Sequence, residues 1–367
     1  MTQRMKPPFR ADHVGSLLRP AALKASRERY AKGQITAVAL GDVEDHEIQG
    51  IIAKQESLGL QSISDGEFRR SWWHLDFLWG LDGVERHVMD AGIAFAAVTT
   101  RNEGVRVTGK LGFSGHPMLE HFKFLQAHTK RTPKMTIPAP SALYGRPVRT
   151  PIDETLYPSL DKFFDDLGQA YKKAVRAFYD AGCRYLQLDE VFIAMLCDPK
   201  YRQQMTDRGD DPDFLGTAYA DLINVAISDI PPDMTVTMHL CRGNYKSTFM
   251  GSGGYDAMQE VLFDRIKVHG YFMEYDSVRA GGFEPLKRLQ KGRVAVLGLL
   301  TSKTGALESR DVIKRRIKEA AKSTDLDQLC LSPQCGFAST EEGNILAEDE
   351  QWAKLRMIVE LAEEVWG

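Results

Sequence analysis

A histidine and a cysteine two residues apart, His239 and Cys241, end the run Thr235-Val236-Thr237-Met238-His239-Leu240-Cys241 just before Arg242-Gly243-Asn244. The β-branched run predicts a strand entering a loop, and side chains two apart on a strand share a face, so the two converge while Leu240 points away. Two further strand-to-loop endings carry compatible groups. Gly270-Tyr271-Phe272-Met273-Glu274-Tyr275-Asp276 ends in carboxylates, and Leu329-Cys330-Leu331-Ser332-Pro333-Gln334-Cys335-Gly336 ends in a thiol. An imidazole, two thiolates and a carboxylate suit tetrahedral Zn²⁺. Either His239 or Cys241 alone is more simply a core residue; together on one face at a strand end they favour a ligand pair. Glu274 and Asp276 lie on one face, and spacing does not choose between them. Cys330 falls in the apolar body of its strand and is expected in the core, and Cys183 and Cys197 are expected to be buried without a role.

A second constellation consists of acids at strand tips: Asp65 and Glu67 in Asp65-Gly66-Glu67-Phe68, and Asp189 and Glu190 after Arg184-Tyr185-Leu186-Gln187-Leu188. Such acids either cap the following helix or hold a substrate ammonium by charge-assisted hydrogen bonds. The segment Asp12-His13-Val14-Gly15-Ser16 ends in Gly-Ser, whose backbone N–H groups can receive an anion such as a carboxylate.

The elements that position these groups repeat. Strands are expected near residues 10–16, 60–68, 134–141, 184–190, 235–241, 270–276, 293–301 and 327–335. Helices are expected from near Pro20, from Asp42 to Gly59, from Tyr157 to Ala181 and from Thr217 to Asp229. Phe163, Leu167, Ala170, Ala174 and Phe178 mark one face of the third helix. Eight strands alternating with helices predict a (β/α)8 TIM barrel, a fold that places its chemistry at the C-terminal strand ends. It is read as a single catalytic domain over 1–367, with an extended N-terminal segment. An insertion at about 80–130 contains a β-hairpin signalled by the alternation in Val105-Arg106-Val107-Thr108-Gly109-Lys110-Leu111. The aromatics Trp72, Trp73, Phe77 and Trp79 either cover the barrel mouth or pack in the core.

Composition bounds the function. The 367 residues are 43% hydrophobic and 26% charged, with a net charge of -3 and a pI near 6.3. These values describe a globular chain and give no support for nucleic-acid or anionic-membrane partners. No apolar run reaches the length of a membrane span and no signal segment opens the chain, so a cytoplasmic location is expected. Five scattered cysteines argue against a disulfide framework.

These residues together carry a resemblance. His239-x-Cys241, Glu274 and Cys335, with Asp12-His13-Val14-Gly15-Ser16, Asp65-Gly66-Glu67-Phe68 and Leu188-Asp189-Glu190, resemble the C-terminal catalytic barrel of cobalamin-independent methionine synthase, especially its short single-barrel members. The resemblance implies a zinc ion held by His239, Cys241, Glu274 and Cys335, which resolves Glu274 over Asp276. It implies homocysteine held by Gly15, Ser16, Glu67 and Asp189, with His13 and Tyr144 among the substrate-binding positions and Asp189 and Lys303 as catalytic positions. It departs from the family in three respects. There is no room for the N-terminal half that helps bind polyglutamylated folate. Lys303 stands where the family has a catalytic histidine, and Tyr144 where it has a pterin-associated tryptophan.

The expected activity is zinc-dependent methyl transfer to homocysteine, from a small or protein-delivered methyl donor and not from folate polyglutamate. Other readings are a different zinc-dependent thiol alkylation, such as epoxide opening by a coenzyme-M-like thiol, and a decarboxylase of the uroporphyrinogen type, which has no use for the His-x-Cys pair. A zinc-storing or thiol-sensing protein is the alternative outside enzymes. A closed site without turnover would favour it.

Overall fold

The apolar, β-branched runs pair side by side and in parallel. The structure is a computed structural model and describes residues 4–367. In chain order its strands are β1 (Ser62–Ile63), β2 (Asp82–Val88), β3 (Glu103–Gly112), β4 (Thr132–Pro133), β5 (Met135–Pro138), β6 (Tyr185–Glu190), β7 (Thr235–Leu240), β8 (Gly270–Glu274), β9 (Val294–Leu300) and β10 (Leu329–Pro333). Strands β5 to β10 form one six-stranded parallel sheet in sequence order. All of β6 and β9 is buried, as expected of parallel strands covered on both sides. Helices flank this sheet, so the chain has an α/β fold built on a central parallel sheet.

The first two predicted strands are shorter than expected. Residues 10–16 contribute only a parallel bridge between Ala11 and Leu331, with Leu331 N–H donating to Arg10 O at 2.8 Å and Asp12 N–H to Leu331 O at 3.0 Å. The segment 60–68 shrinks to β1, which pairs with β4 in parallel. Side chains take over where a ladder would run between these two segments. Ser62 Oγ donates to Asp12 Oδ1 at 2.7 Å, and Ser64 Oγ donates to Gly15 O. The cause is compositional: Asp, His and Ser side chains compete for backbone partners, and Gly15 and Gly66 sit at φ 138° and 65°, where a regular strand cannot continue.

The expected hairpin is present as the antiparallel pair β2–β3, with a register shift between Asp82 and Val84. Gly83 there has φ 77°, and a Cβ at this position would lie 2.5 Å from Lys110 O. The hairpin is anchored by Leu111 N–H donating to Tyr157 Oη at 2.7 Å and Trp79 Nε1 donating to Gly104 O at 2.9 Å.

Helix ends shift by several residues where capping chemistry decides them. The helix Ala37–Ser57 starts at the Thr36 cap and not at Asp42. Leu160–Asp180 starts at Ser159 and buries the predicted apolar face. Pro212–Ala226 starts at Asp211 with Pro212 in its first turn, ahead of the expected Thr217. The last helix, Glu348–Trp366, lends Gln351 Oε1 to Leu18 N–H at 2.7 Å and so fixes the segment after Ser16. Val14, Tyr185, Phe272, Val294, Val296 and Cys330 form a small apolar cluster of their own. Asp12 and Lys134, both fully buried, pair at 3.3 Å, and the Lys134 ammonium lies 3.9 Å from the Phe272 ring centre.

Candidate active site

Parallel register does the first part of the assembly. Asp189 on β6 stands opposite His239 on β7, so an acid and an imidazole from different strands sit side by side on one face. Cys241, just past the end of β7, and Cys335, just past the end of β10, bring their Sγ atoms to 3.4 Å. That is far longer than a disulfide. One donor atom from each of His239, Cys241 and Cys335 lies within 4.8 Å of the others, and all three residues are buried. Both ring nitrogens of His239 lack a hydrogen-bond partner, the Cys335 sulfur being the neighbour that acts on the ring. The Cys241 thiol, bonding to Cys335, holds Cys335 well below the usual thiol range against the effect of burial, and His239 and Lys303 add to this. Cys241 is pushed well up by the same contact and by burial. Burial alone would lower the His239 imidazole, but Cys335, Asp189 and Glu274 outweigh it and raise it.

Glu274 is fully buried beside this group, yet its carboxylate is not one of the three clustered donors. It bonds to Arg279 through Oε1, accepts from Arg242 N–H through Oε2 at 3.1 Å and has Lys303 Nζ 3.9 Å away. Burial would raise its pKa, but the charges of Lys303, Arg279 and Arg242 prevail and lower it. Asp276 is less buried, and its nearest cation is Arg279 at 3.8 Å.

Above the cluster opens a cavity with about 760 Å³ of empty space, its mouth included; His239, Cys241, Cys335, Ser16, Glu67 and Asp189 are among its lining residues. Glu67 sits at φ 60°, an uncommon conformation for a non-glycine residue, and its N–H is bonded by Asp65 Oδ1 at 2.8 Å. Its Oε1 accepts from Thr136 Oγ1 at 2.8 Å, and Arg70 lies 3.6 Å from Oε2, which has no hydrogen-bond partner. Asp189 Oδ1 accepts from Gln187 Nε2 at 2.7 Å. Burial, then the charge of Glu67, pushes Asp189 up to about 7; burial also raises Glu67. Two buried carboxylates at one cavity wall disfavour each other's charge until a cation arrives. The other two strand-tip acids serve the backbone. Asp65 holds Glu67 N–H, and Glu190 Oε1 caps the next helical turn by accepting from Phe192 and Ile193 N–H at 2.7 and 2.8 Å.

Gly15 and Gly336 keep this wall open. A Cβ on Gly15 would come 2.8 Å from Thr136 Cγ2 and 3.4 Å from Glu67 Oε1, and one on Gly336 would come 1.9 Å from Ser16 Oγ.

The sequence profile of the family described as cobalamin-independent synthase, catalytic domain, matches residues 9–364. The chain belongs to this family. It is 52% identical over 367 residues to the uncharacterized protein YxjG of Bacillus subtilis, covering 99% of this chain and 96% of that one. A structure from Listeria monocytogenes described as a vitamin-B12 independent methionine synthase superposes with a TM-score of 0.80 at 42% identity, covering 99% of this chain and 100% of that one. A 5-methyltetrahydropteroyltriglutamate–homocysteine methyltransferase of Bacillus velezensis is 21% identical over 363 residues, which are 96% of this chain and 42% of that enzyme. As a member of the cobalamin-independent synthase family with a cluster able to hold a metal ion, the chain is a methyltransferase-like enzyme.

Five expected site residues, His13, Gly15, Tyr144, Glu274 and Lys303, lie outside the cavity lining. His13 is buried beside Lys134, its Nε2 3.2 Å from Ser62 O; burial and Lys134 push it down to about 4, so it is a neutral ring within the fold. Tyr144 donates to Asp210 Oδ1 at 2.8 Å under the Arg149 guanidinium, 3.8 Å from its ring centre. Lys303 has no hydrogen-bond partner at Nζ and belongs to the Glu274 side of the cluster. The aromatic run divides between its two readings. Trp72 and Trp73 line the cavity, Phe77 is in the core, and Trp79 is half-buried under Arg86. Sequence reasoning missed Tyr245, whose ring stacks on Trp72 with an interplanar angle of 7°, and Phe95 from the hairpin connection, packed on Tyr245 at 5.5 Å. Neither falls in a periodic pattern. Among the described residues no helix is long and apolar enough to cross a membrane.

Proposed function

We propose that this enzyme methylates the thiol of homocysteine to give methionine, with zinc at the His239–Cys241–Cys335 cluster and Glu274 as fourth ligand. The observation carrying this reading is that two thiols and an imidazole share one cavity with two buried carboxylates, a soft-metal site beside an ammonium site. The donor set fits the ion. Tetrahedral zinc at about 2.3 Å from each sulfur places two sulfurs roughly 3.8 Å apart, against 3.4 Å here, and the buried His239 nitrogens have no other partner.

When bound, zinc would supply a Lewis acid that favours the thiolate form of the acceptor at neutral pH. The chain's own residues do the rest. Glu67 and Asp189 take the substrate ammonium, which relieves their mutual repulsion and turns the substrate's charged end away from the sulfurs. Ser16, facing the space that Gly336 leaves open, takes the carboxylate. Trp72, Trp73 and Tyr245 exclude water from the path along which the donor's methyl carbon approaches. The sulfur–carbon bond forms as the donor–methyl bond breaks, and the electron pair leaves with the donor, near enough to Lys303 in this reading for its ammonium to offset developing charge. His13 and Tyr144 act as supports, through the Asp12–Lys134 pair and the Asp210 cluster respectively.

The frame around this site is read as one (β/α)8 barrel over 1–367, closed across the seam between residues 10–16 and β1 by the Asp12–Ser62 and Gly15–Ser64 hydrogen bonds. The deciding experiment supplies homocysteine with a panel of methyl donors and measures methionine. Methionine formed only when zinc is present supports the proposal. Equal turnover of 2-mercaptoethanesulfonate would remove homocysteine as the acceptor, and no methylated thiol with any donor would remove the activity.

A further inference from the structure

The acceptor's sulfur and ammonium account for only part of the cavity. Five aromatic side chains also line it: Trp72, Trp73, Phe95, Phe192 and Tyr245. Four of them are joined by ring contacts. Trp72 and Tyr245 lie parallel with centres 6.4 Å apart, Phe95 packs on Tyr245 at 5.5 Å, and His74 touches both Trp72, at 5.9 Å, and Trp73, at 4.4 Å. Among the described residues no lysine or arginine lines this cavity, whereas Glu67 and Asp189 do. Two cations touch the aromatic wall without lining the cavity. Arg101 lies 4.9 Å from the Trp72 ring centre, its charge met by Glu341 at 2.7 Å and Glu342 at 3.2 Å, and Lys246 lies 5.4 Å from the ring centre of Tyr245.

The free polar atoms carry the same bias. Four lining residues have a buried side-chain nitrogen or oxygen without a hydrogen-bond partner: Glu67, His74, His239 and Asn244. Glu67 is assigned to the ammonium and His239 to the metal in the function proposed above. Asn244, 5% exposed, donates through Nδ2 to Gly336 O at 2.8 Å, which fixes the amide and leaves Oδ1 as an open acceptor. Burial keeps the His74 imidazole neutral, so it brings no positive charge to the wall. A second substrate therefore meets aromatic rings, an acceptor oxygen and two carboxylates. Such a surface favours a positive group and offers an anion no counter-charge.

We infer that the methyl donor seated in this cavity is a small methylated onium, a sulfonium or quaternary ammonium, held by the aromatic wall and Asn244 Oδ1. This rests on the methyl transfer to a thiol proposed above. The acceptor thiolate's electron pair forms the new sulfur–carbon bond, the methyl–onium bond breaks, and its electron pair returns to the onium centre, which leaves as a neutral thioether or tertiary amine. A negative acceptor and a positive donor thus give two uncharged groups, and no proton has to be delivered. The lining agrees with that balance. A donor that is a neutral amine needs an acid to protonate it as it leaves, and no cationic acid lines the cavity: His74 is neutral and Lys303 lies outside the lining. The polarised methyl groups of an onium also suit an acceptor oxygen such as Asn244 Oδ1 through C–H···O contacts.

The test separates binding from turnover. Choline and its uncharged isostere 3,3-dimethyl-1-butanol are titrated by calorimetry against the zinc-loaded enzyme, with homocysteine present so that an ammonium already occupies Glu67 and Asp189. Trimethylsulfonium and methylcobalamin are then compared as donors to homocysteine. Choline is expected to bind about tenfold or more tightly than the isostere, and trimethylsulfonium to give methionine and dimethyl sulfide in equal amounts. Trp73→Leu should lower the preference for choline at least about threefold with zinc content unchanged, and Trp73→Phe should keep most of it. The isostere binding the wild-type enzyme as tightly as choline would overturn the inference without reference to any variant. So would a preference that Trp73→Leu leaves intact, or methionine formed from methylcobalamin with none from trimethylsulfonium. A choline preference with no methionine from any donor would leave the onium subsite standing and remove the proposed acceptor.

Discussion

At the residue scale the decisive fact is that Glu67 Oε2 and both ring nitrogens of His239 are buried without a hydrogen-bond partner. Glu67 is held through Oε1 by Thr136 while Oε2 has no hydrogen-bond partner and Arg70 stands 3.6 Å from it, an arrangement that orients the carboxylate and leaves one oxygen free to accept. Glu67→Gln should therefore weaken homocysteine binding by about 1.5–3 kcal/mol, the range of a hydrogen bond to a charged group, and leave zinc content unchanged. A thiol lacking the amino group should bind both forms alike; calorimetry with the two thiols checks this, and equal losses for both would remove the ammonium assignment. The sulfurs of Cys241 and Cys335 lie 3.4 Å apart, with Ser339 Oγ 4.0 Å from Cys335. Metal analysis is expected to find about one zinc per chain, the stoichiometry of a mononuclear site, and Cys241→Ser or Cys335→Ser should each reduce it strongly. Full occupancy in both variants would show that the ion, if any, is held elsewhere.

At the scale of elements, strand tips carry acids of two kinds that composition alone does not separate. Glu190 and Asp189 are adjacent, yet one faces the cavity and the other bonds Ser141 and the first N–H groups after β6, because neighbours on a strand point to opposite faces. Burial pushes Glu190 up to about 7 against these bonds. A carboxyl whose pKa is raised in the fold contributes stability below its unfolded value near 4.5, and that contribution is lost as pH rises through about 7. Glu190→Gln keeps the acceptor oxygen and cannot ionise. Relative to wild type, the variant should thus gain stability between pH 4.5 and 7.5, by up to about 3 kcal/mol; urea unfolding at several pH values measures it. A difference that does not change with pH would mean that Glu190 titrates normally.

At the scale of the whole molecule, the cavity is a composite: sulfurs from the ends of β7 and β10, acids from the β1 loop and β6, and aromatics from the hairpin side. In the function proposed above, the donor is where the resemblance implies the largest departure from the family. Tyr144 is tied to Asp210 outside the cavity lining and presents no ring to a pterin there, and a lysine ammonium is ordinarily a weaker acid than an imidazolium for protonating a leaving amine. Methyltetrahydrofolate triglutamate should be at least about 100-fold less efficient in kcat/KM than a small or protein-delivered methyl donor, or about 2.7 kcal/mol of lost transition-state stabilisation. Steady-state assays with the triglutamate, methylcobalamin and a methyl-corrinoid protein decide it. Efficient turnover of the folate, unimproved by Lys303→His, would contradict the prediction.

What the sequence by itself determined is local or periodic. The His239–Cys241 pair is set by the two-residue period of a strand, the helix Leu160–Asp180 by its apolar face, and the parallel sheet by the recurrence of buried runs. What only the tertiary structure decided is which groups meet. The register that places Asp189 beside His239, the 3.4 Å approach of Cys241 and Cys335 across 94 residues of chain, and the pairing of Glu274 with Arg279 depend on strand order and loop path, which no local pattern encodes. The first two strands were misjudged for the related reason that their Asp, His and Ser side chains bond backbone groups brought near by folding.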